Sequence, residues 1–191
     1  MHRYTASMAR PVVLVNGLPA AGKTTLAAPL AMALGQPLFS KDVIKQTHAD
    51  VLGADPPPGM TQRQWSRALG RAAGETMWAL LAAASGGAVL ESSWRADVRP
   101  LVRAGLVTAG VTEVVEVWCE APAPLLRERY ERRWPTRHPV HGAPLSEQEW
   151  EQVFAYAEPL ALGPLHRLDT SVPVDVPAVA DWCRSATLNT R

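Results

Sequence analysis

Cysteine is scarce in this chain of 191 residues: Cys119 and Cys183 are the only two, far apart and without metal-ligand spacing. They read as reduced thiols, which argues against a disulfide-stapled fold and against a cysteine metal centre, and points to a cytoplasmic setting. Net charge is almost absent as well, +1 at neutral pH. Nothing global therefore argues for nucleic acid or an anionic membrane as a partner. No apolar run approaches the ~20 residues that a membrane-spanning helix needs. Residues 1–10 lack the apolar core of a signal peptide and are expected as a flexible lead-in to the first strand. No internal repeat is present. What is there, 47% hydrophobic and 19% charged residues, describes a globular chain long enough for one sizeable core, expected as a single domain over 1–191.

The organising stretch is Gly17-Leu18-Pro19-Ala20-Ala21-Gly22-Lys23-Thr24-Thr25. It carries the full G-x-x-x-x-G-K-[ST] pattern of a P-loop, entered from the apolar run Val12 to Val15 and followed by Leu26, Leu30 and Leu34 at helical spacing. Gly17 and Gly22 let the backbone turn so that its N–H groups, with the helix N-terminus, form an anion site. The pattern gives Lys23 the β- and γ-phosphates of ATP and gives the Thr24 hydroxyl a Mg²⁺ ion.

Strands are expected at Val12–Asn16, Gln36–Ser40, Ala88–Glu91, Thr112–Cys119 and His166–Leu168. Between them the periodicity predicts helices over 22–34, 43–52, 61–84, 97–109, 121–134, 146 onward and 176–186. Pro29 predicts a mild kink in the first helix. On the long third helix Trp65, Leu69, Ala72, Ala73, Thr76, Leu80 and Ala83 are available for the buried face. Alternation of strands and helices predicts an α/β fold, a parallel sheet with helices on both faces.

Several nucleotide-enzyme classes lack their marks. A guanine-reading N-K-x-D is absent, and Asp50-Val51-Leu52-Gly53 falls in a helical pattern rather than after a strand. A mechanical ATPase would place an acidic pair after an apolar strand, where this chain has the single Glu91 followed by serines. The remaining class transfers phosphate to an acceptor. Asp42, after the second strand, opens toward the phosphate edge and suits a general base that takes the proton of an attacking hydroxyl; it equally suits a cap for a helix starting at Val43. Lys45 lies one helical turn on, placed for substrate charge. Glu91 is a candidate for Mg²⁺ through water or for the acceptor, and Trp94 and Arg95 for a stacking face and a cation. Arg127, Arg129, Arg132 and Arg133 precede a basic, proline-bounded stretch and are expected to form a lid over about 129–146, with Arg129 and Arg133 as the catalytic pair. Thr170 and Pro173 follow the last strand and are placed to border adenine. His138 and His141 read as loop residues, with no metal.

With these residues in place, the chain resembles the P-loop kinases that include chloramphenicol phosphotransferase, the zeta-toxin-like kinases and the kinase domain of phage polynucleotide kinase. The resemblance rests on Gly17 to Thr25, on Ser40-Lys41-Asp42-Val43-Ile44-Lys45, and on Arg129 with Arg132 and Arg133. It implies a P-loop NTPase fold with a five-stranded parallel sheet ordered 2-3-1-4-5 and a small helical lid, with Asp42 as general base. Lys45 stands where polynucleotide kinases carry arginine, a point charge in place of a bidentate fork. The expectation is an ATP- and Mg²⁺-dependent kinase acting on a small-molecule hydroxyl. The alternatives are a kinase of polynucleotide or nucleoside 5′-hydroxyls, and an ATP-binding regulatory module without transfer.

Overall fold

A computed structural model describes residues 11–188; the lead-in expected at 1–10 lies outside the described residues. The elements are β1 (Val12–Gly17), α1 (Lys23–Leu34), β2 (Leu38–Ser40), α2 (Lys41–Leu52), α3 (Gln62–Ala83), β3 (Val89–Glu91), α4 (Arg99–Thr108), β4 (Val114–Glu120), α5 (Ala123–Arg133), α6 (Glu147–Ala155), β5 (Leu165–Asp169) and α7 (Val176–Leu188). The sheet is five-stranded and parallel throughout, ordered β2-β3-β1-β4-β5.

β1 is central, and its run of β-branched and aliphatic residues is buried on both sides. Val13 and Val15 face one layer, packing with Leu26, Leu30, Leu126 and Val179 of α1, α5 and α7. Val12 and Leu14 face the other, with Met77, Leu81, Val102 and Leu106 of α3 and α4. A third cluster, Ala49, Leu69 and Val140, ties α2 and α3 to a short turn between α5 and α6. Each fully buried aliphatic side chain contributes about 1.5–3 kcal/mol.

Several local expectations are corrected. α1 starts at Lys23 rather than Gly22, which takes the N-cap position at a φ of 77°, and it runs to Leu34 with Pro29 inside it, closed by Gly35 in the left-handed region. α2 starts at Lys41 rather than Val43, because β2 passes straight into the helix with Ser40 in the capping position. Asp42 is therefore a first-turn residue, favoured there by the helix dipole, and not a cap. α3 buries Leu69, Ala73, Met77, Trp78 and Leu81, and leaves Leu80 exposed. Trp78 sets that rotation: its ring lies 6.5 Å from Trp94 and so close to Gly105 of α4 that a Cβ there would stand 2.2 Å from it. β4 is buried from Val114 to Cys119, Glu116 included, because helices cover both faces of the sheet: Val115, Val117 and Cys119 pack in the layer of α1 and α7, and Val114 in the layer of α3 and α4.

Candidate functional site

The connection between β1 and α1 is the glycine-rich segment itself. Parallel register sets Gly17 opposite Cys119, with a φ of 145°, and a Cβ at Gly17 would lie 2.3 Å from the Cys119 carbonyl oxygen. Ala20 (φ 62°) and Gly22 (φ 77°) are left-handed, the curl that gathers backbone N–H donors into an anion nest. A buried polar network fixes where the loop begins. Asn16 Oδ1 accepts from the backbone N–H groups of Gly17 (2.8 Å) and Trp94 (2.9 Å), while Asn16 Nδ2 donates to Glu116 Oε1 at 2.9 Å. Glu116, wholly buried, also accepts from the N–H groups of Leu160 and Ala161.

Above this loop lies a cleft of about 690 Å³. Its floor is Pro19, Ala20, Ala21, Gly22, Lys23, Thr24 and Thr25. Because β2 and β5 are the opposite edges of the sheet, the residues that follow them stand at opposite ends of the cleft. Thr170 and Pro173 border one end, and Lys41, Asp42 and Lys45 of α2 border the other. Arg129, Arg132 and Arg133 of α5 and Arg137 beyond it complete the wall. Arg129 Nη2 donates to the Thr170 carbonyl at 2.9 Å, tying α5 to the loop after β5.

The Lys23 ammonium is buried and donates to the Leu18 carbonyl at 2.7 Å. Burial pushes its pKa below the ordinary lysine value, opposed by the nearby charge of Glu91. Burial likewise lowers Lys41, Lys45 and Arg137, although Asp42 pulls each of the three upward. His141, which accepts from the Gln46 amide at 3.1 Å, is depressed to about 4 by burial and by the neighbouring Arg137. It is a neutral imidazole at pH 7. Cys119 and Cys183 are buried free thiols, each pushed up to about 12 by burial.

Three expected acceptor residues do not reach the cleft. Glu91 is only 4% exposed. Its Oε1 accepts from the Thr24 hydroxyl at 3.3 Å and its Oε2 from the Ser40 hydroxyl, so it braces β2 against the start of α1 from below. Trp94 is buried beside Trp78, and Arg95 pairs with Asp97 and lies over the Tyr156 ring. Both Trp94 and Arg95 instead line a smaller cavity of about 170 Å³, together with Gly17 and Leu18 from the far side of the loop. Conversely, Lys41 and Arg137 line the main cleft unforeseen. The signal for Lys41 was its place beside Asp42 at the end of a strand, and for Arg137 its place in the basic stretch after α5. For a metal, the Thr24 hydroxyl beside the Glu91 carboxylate is a hard oxygen set of the kind Mg²⁺ takes along with water and phosphate. Among the described residues no group of three or more His, Cys, Asp or Glu side chains could hold a metal, and no helix is long and apolar enough to cross a membrane.

Residues 12–160 match the AAA_33 family profile, an AAA domain. The chain belongs to that family. A protein from Chloroflexus aurantiacus described as a candidate kinase shares 32% identity with this AAA domain, with 93% of this chain and 98% of that one covered and a TM-score of 0.77. Shikimate kinase from Acinetobacter baumannii, solved with shikimate, is 16% identical over 97% of both chains, with a TM-score of 0.64. The Mycobacterium tuberculosis APS kinase solved with AMPPNP and APS is 18% identical over 93% of this chain and 97% of its own, with a TM-score of 0.57. The fold of this AAA domain is thus that of P-loop kinases. No curated protein matches it at the sequence level.

Proposed function

We propose that this protein is an ATP-dependent kinase that transfers the γ-phosphoryl group to a hydroxyl of a small molecule, with Asp42 as general base. The observation that carries the reading is that Lys23 and Asp42 line one cleft while Arg129 and Arg133 wall it. The kinase description of the Chloroflexus relative supports it. So does the segment from Ser40 to Lys45, through its likeness to the chloramphenicol phosphotransferase and polynucleotide kinase group.

In this reading the loop amides and Lys23 take the phosphates, with Lys23 exchanging the Leu18 carbonyl for phosphate oxygen. Thr24, with Glu91 behind it, would hold Mg²⁺, which would supply positive charge to offset the charge of the phosphates. The acceptor oxygen attacks the γ-phosphorus as its proton passes to the Asp42 carboxylate. An O–P bond forms to the acceptor, the bond to the β–γ bridging oxygen breaks, and ADP leaves with the electron pair. Arg129 and Arg133 stabilise the charge in flight, and the segment over 129–146 acts as a lid that keeps water out. Thr170 and Pro173 border the adenine.

The test is acceptor-stimulated ADP release across a panel of hydroxyl compounds, comparing wild type with Asp42→Asn. The expected result is a stimulating acceptor and, in the variant, turnover lowered by about 100-fold or more with nucleotide affinity nearly unchanged. Equal turnover in the variant removes Asp42 from the role. ATP binding with no acceptor-dependent ADP release would favour the regulatory alternative instead.

A further inference from the structure

The end of the cleft around Asp42 carries more positive charge than a neutral alcohol and one carboxylate account for. Lys41, Lys45 and Arg137 all line it and all sense the charge of Asp42. None of the three has a carboxylate within ion-pair distance among the described residues. Away from the cleft several arginines do have carboxylate partners: Arg127 pairs with Glu147, Arg167 with Glu120 and Arg184 with Asp181. The phosphates have cations of their own, since Lys23 lies in the loop that floors the cleft and Arg129 is tied to Thr170 at the end opposite Asp42.

The three cations are also held in place. Lys45 Nζ donates to Ser66 Oγ at 2.8 Å, its stem lying across Gly70 of α3, where a Cβ would stand 3.9 Å from Lys45 Cδ. The Lys41 stem lies across Gly74 in the same way, one helical turn on. Arg137 rests over the rings of Tyr130 and Trp134, at 5.4 and 5.6 Å from their centroids. That cation–π seat and a hydrogen bond with the Tyr130 side chain hold the guanidinium, and the rest of its five N–H donors are left for a ligand. Half-buried cations without a counter-charge are costly, and an anionic ligand relieves that cost with short, charge-assisted hydrogen bonds.

We infer that the acceptor is an anionic alcohol, a hydroxy-carboxylate or a hydroxyl compound bearing a phosphate, whose acidic group is seated by Lys45 and Arg137 with Lys41 beside them while its hydroxyl faces Asp42. This rests on the kinase reading above and names the substrate class of that site.

The experiment separates the two claims by reading binding without transfer. Protein saturated with AMPPNP and Mg²⁺ is titrated calorimetrically with matched probes: glycerol 3-phosphate against glycerol, and gluconate against glucose. The phosphate and carboxylate arms distinguish the two acidic groups. The expected result is that at least one charged member binds and its neutral partner does not. Lys45→Gln and Arg137→Gln should each weaken that binding by about tenfold or more, whereas Lys45→Arg, which keeps the charge, retains most of it. Retained AMPPNP affinity reports that each variant is folded. The inference is overturned if neutral and charged probes bind alike, if no charged probe binds, or if the glutamine variants bind them as the wild type does. Transfer to neutral alcohols alone would keep the kinase reading and overturn this one.

Discussion

At Gly17 the constraint is steric and local. A methyl group there meets the Cys119 carbonyl oxygen of the neighbouring strand, and the backbone angle is one that L side chains rarely adopt. Gly17→Ala should lower stability by about 1–3 kcal/mol and abolish nucleotide binding. Thermal denaturation and AMPPNP titration check this, and a variant that binds normally would contradict the steric argument. His141 makes a pH prediction. Its folded pKa of about 4 lies below the ordinary 6.5, so on acidification the unfolded chain takes the proton first. The stability that neutral His141 contributes is full above pH 6.5 and is lost as the pH falls toward 4. His141→Gln should flatten that part of the stability curve in denaturant titrations at stepped pH. An unchanged slope would mean that the imidazole is not held neutral by its surroundings.

At the scale of elements, the segment between α5 and α6 is the one whose packing bears on function. Val140 is wholly buried between α2 and α3 with Ala49 and Leu69, while His138 pairs with Asp50 and His141 with Gln46. These contacts seat the proposed lid on α3 and on α2, the helix that carries Asp42 and Lys45. Val140→Ala removes two buried carbons, about 1.5 kcal/mol. It should speed amide hydrogen exchange over residues 134–146 while leaving the strands protected, and raise ATP hydrolysis relative to transfer. Exchange unchanged in that segment would show that Val140 does not fasten it. The buried face of α3 shows where periodicity alone misled. Leu80 fits the apolar pattern, yet Trp78 needs the space beside Gly105 and Trp94, and the helix turns to give it that space.

For the whole molecule, the legible parts were those that are local in sequence. Gly17 to Thr25 is a contiguous motif, the strands are continuous apolar runs, and the strand order came with the family resemblance rather than from pattern. The site was less legible, for a physical reason. A place just after a strand puts a residue at the ligand edge of the sheet, but does not say whether other elements roof its side chain. Asp42 reaches the cleft by that route, whereas Glu91 is covered by Thr24 and Ser40, and Trp94 by Trp78. Glu116 and Asn16 escaped notice because a carboxylate amid apolar strand residues looks solvent-facing, and only tertiary packing brings the Leu160 and Ala161 amides to it. Arg137 joins the cleft only through the fold of the turn after α5.

The most direct test of the central claim is a crystal structure with AMPPNP and Mg²⁺. The account predicts the triphosphate cradled by residues 17–25, the Lys23 ammonium moved from the Leu18 carbonyl to phosphate oxygen, and the Asp42 carboxylate facing the γ-phosphate across space for an alcohol. A nucleotide bound elsewhere, or Asp42 walled off from the terminal phosphate, would contradict it.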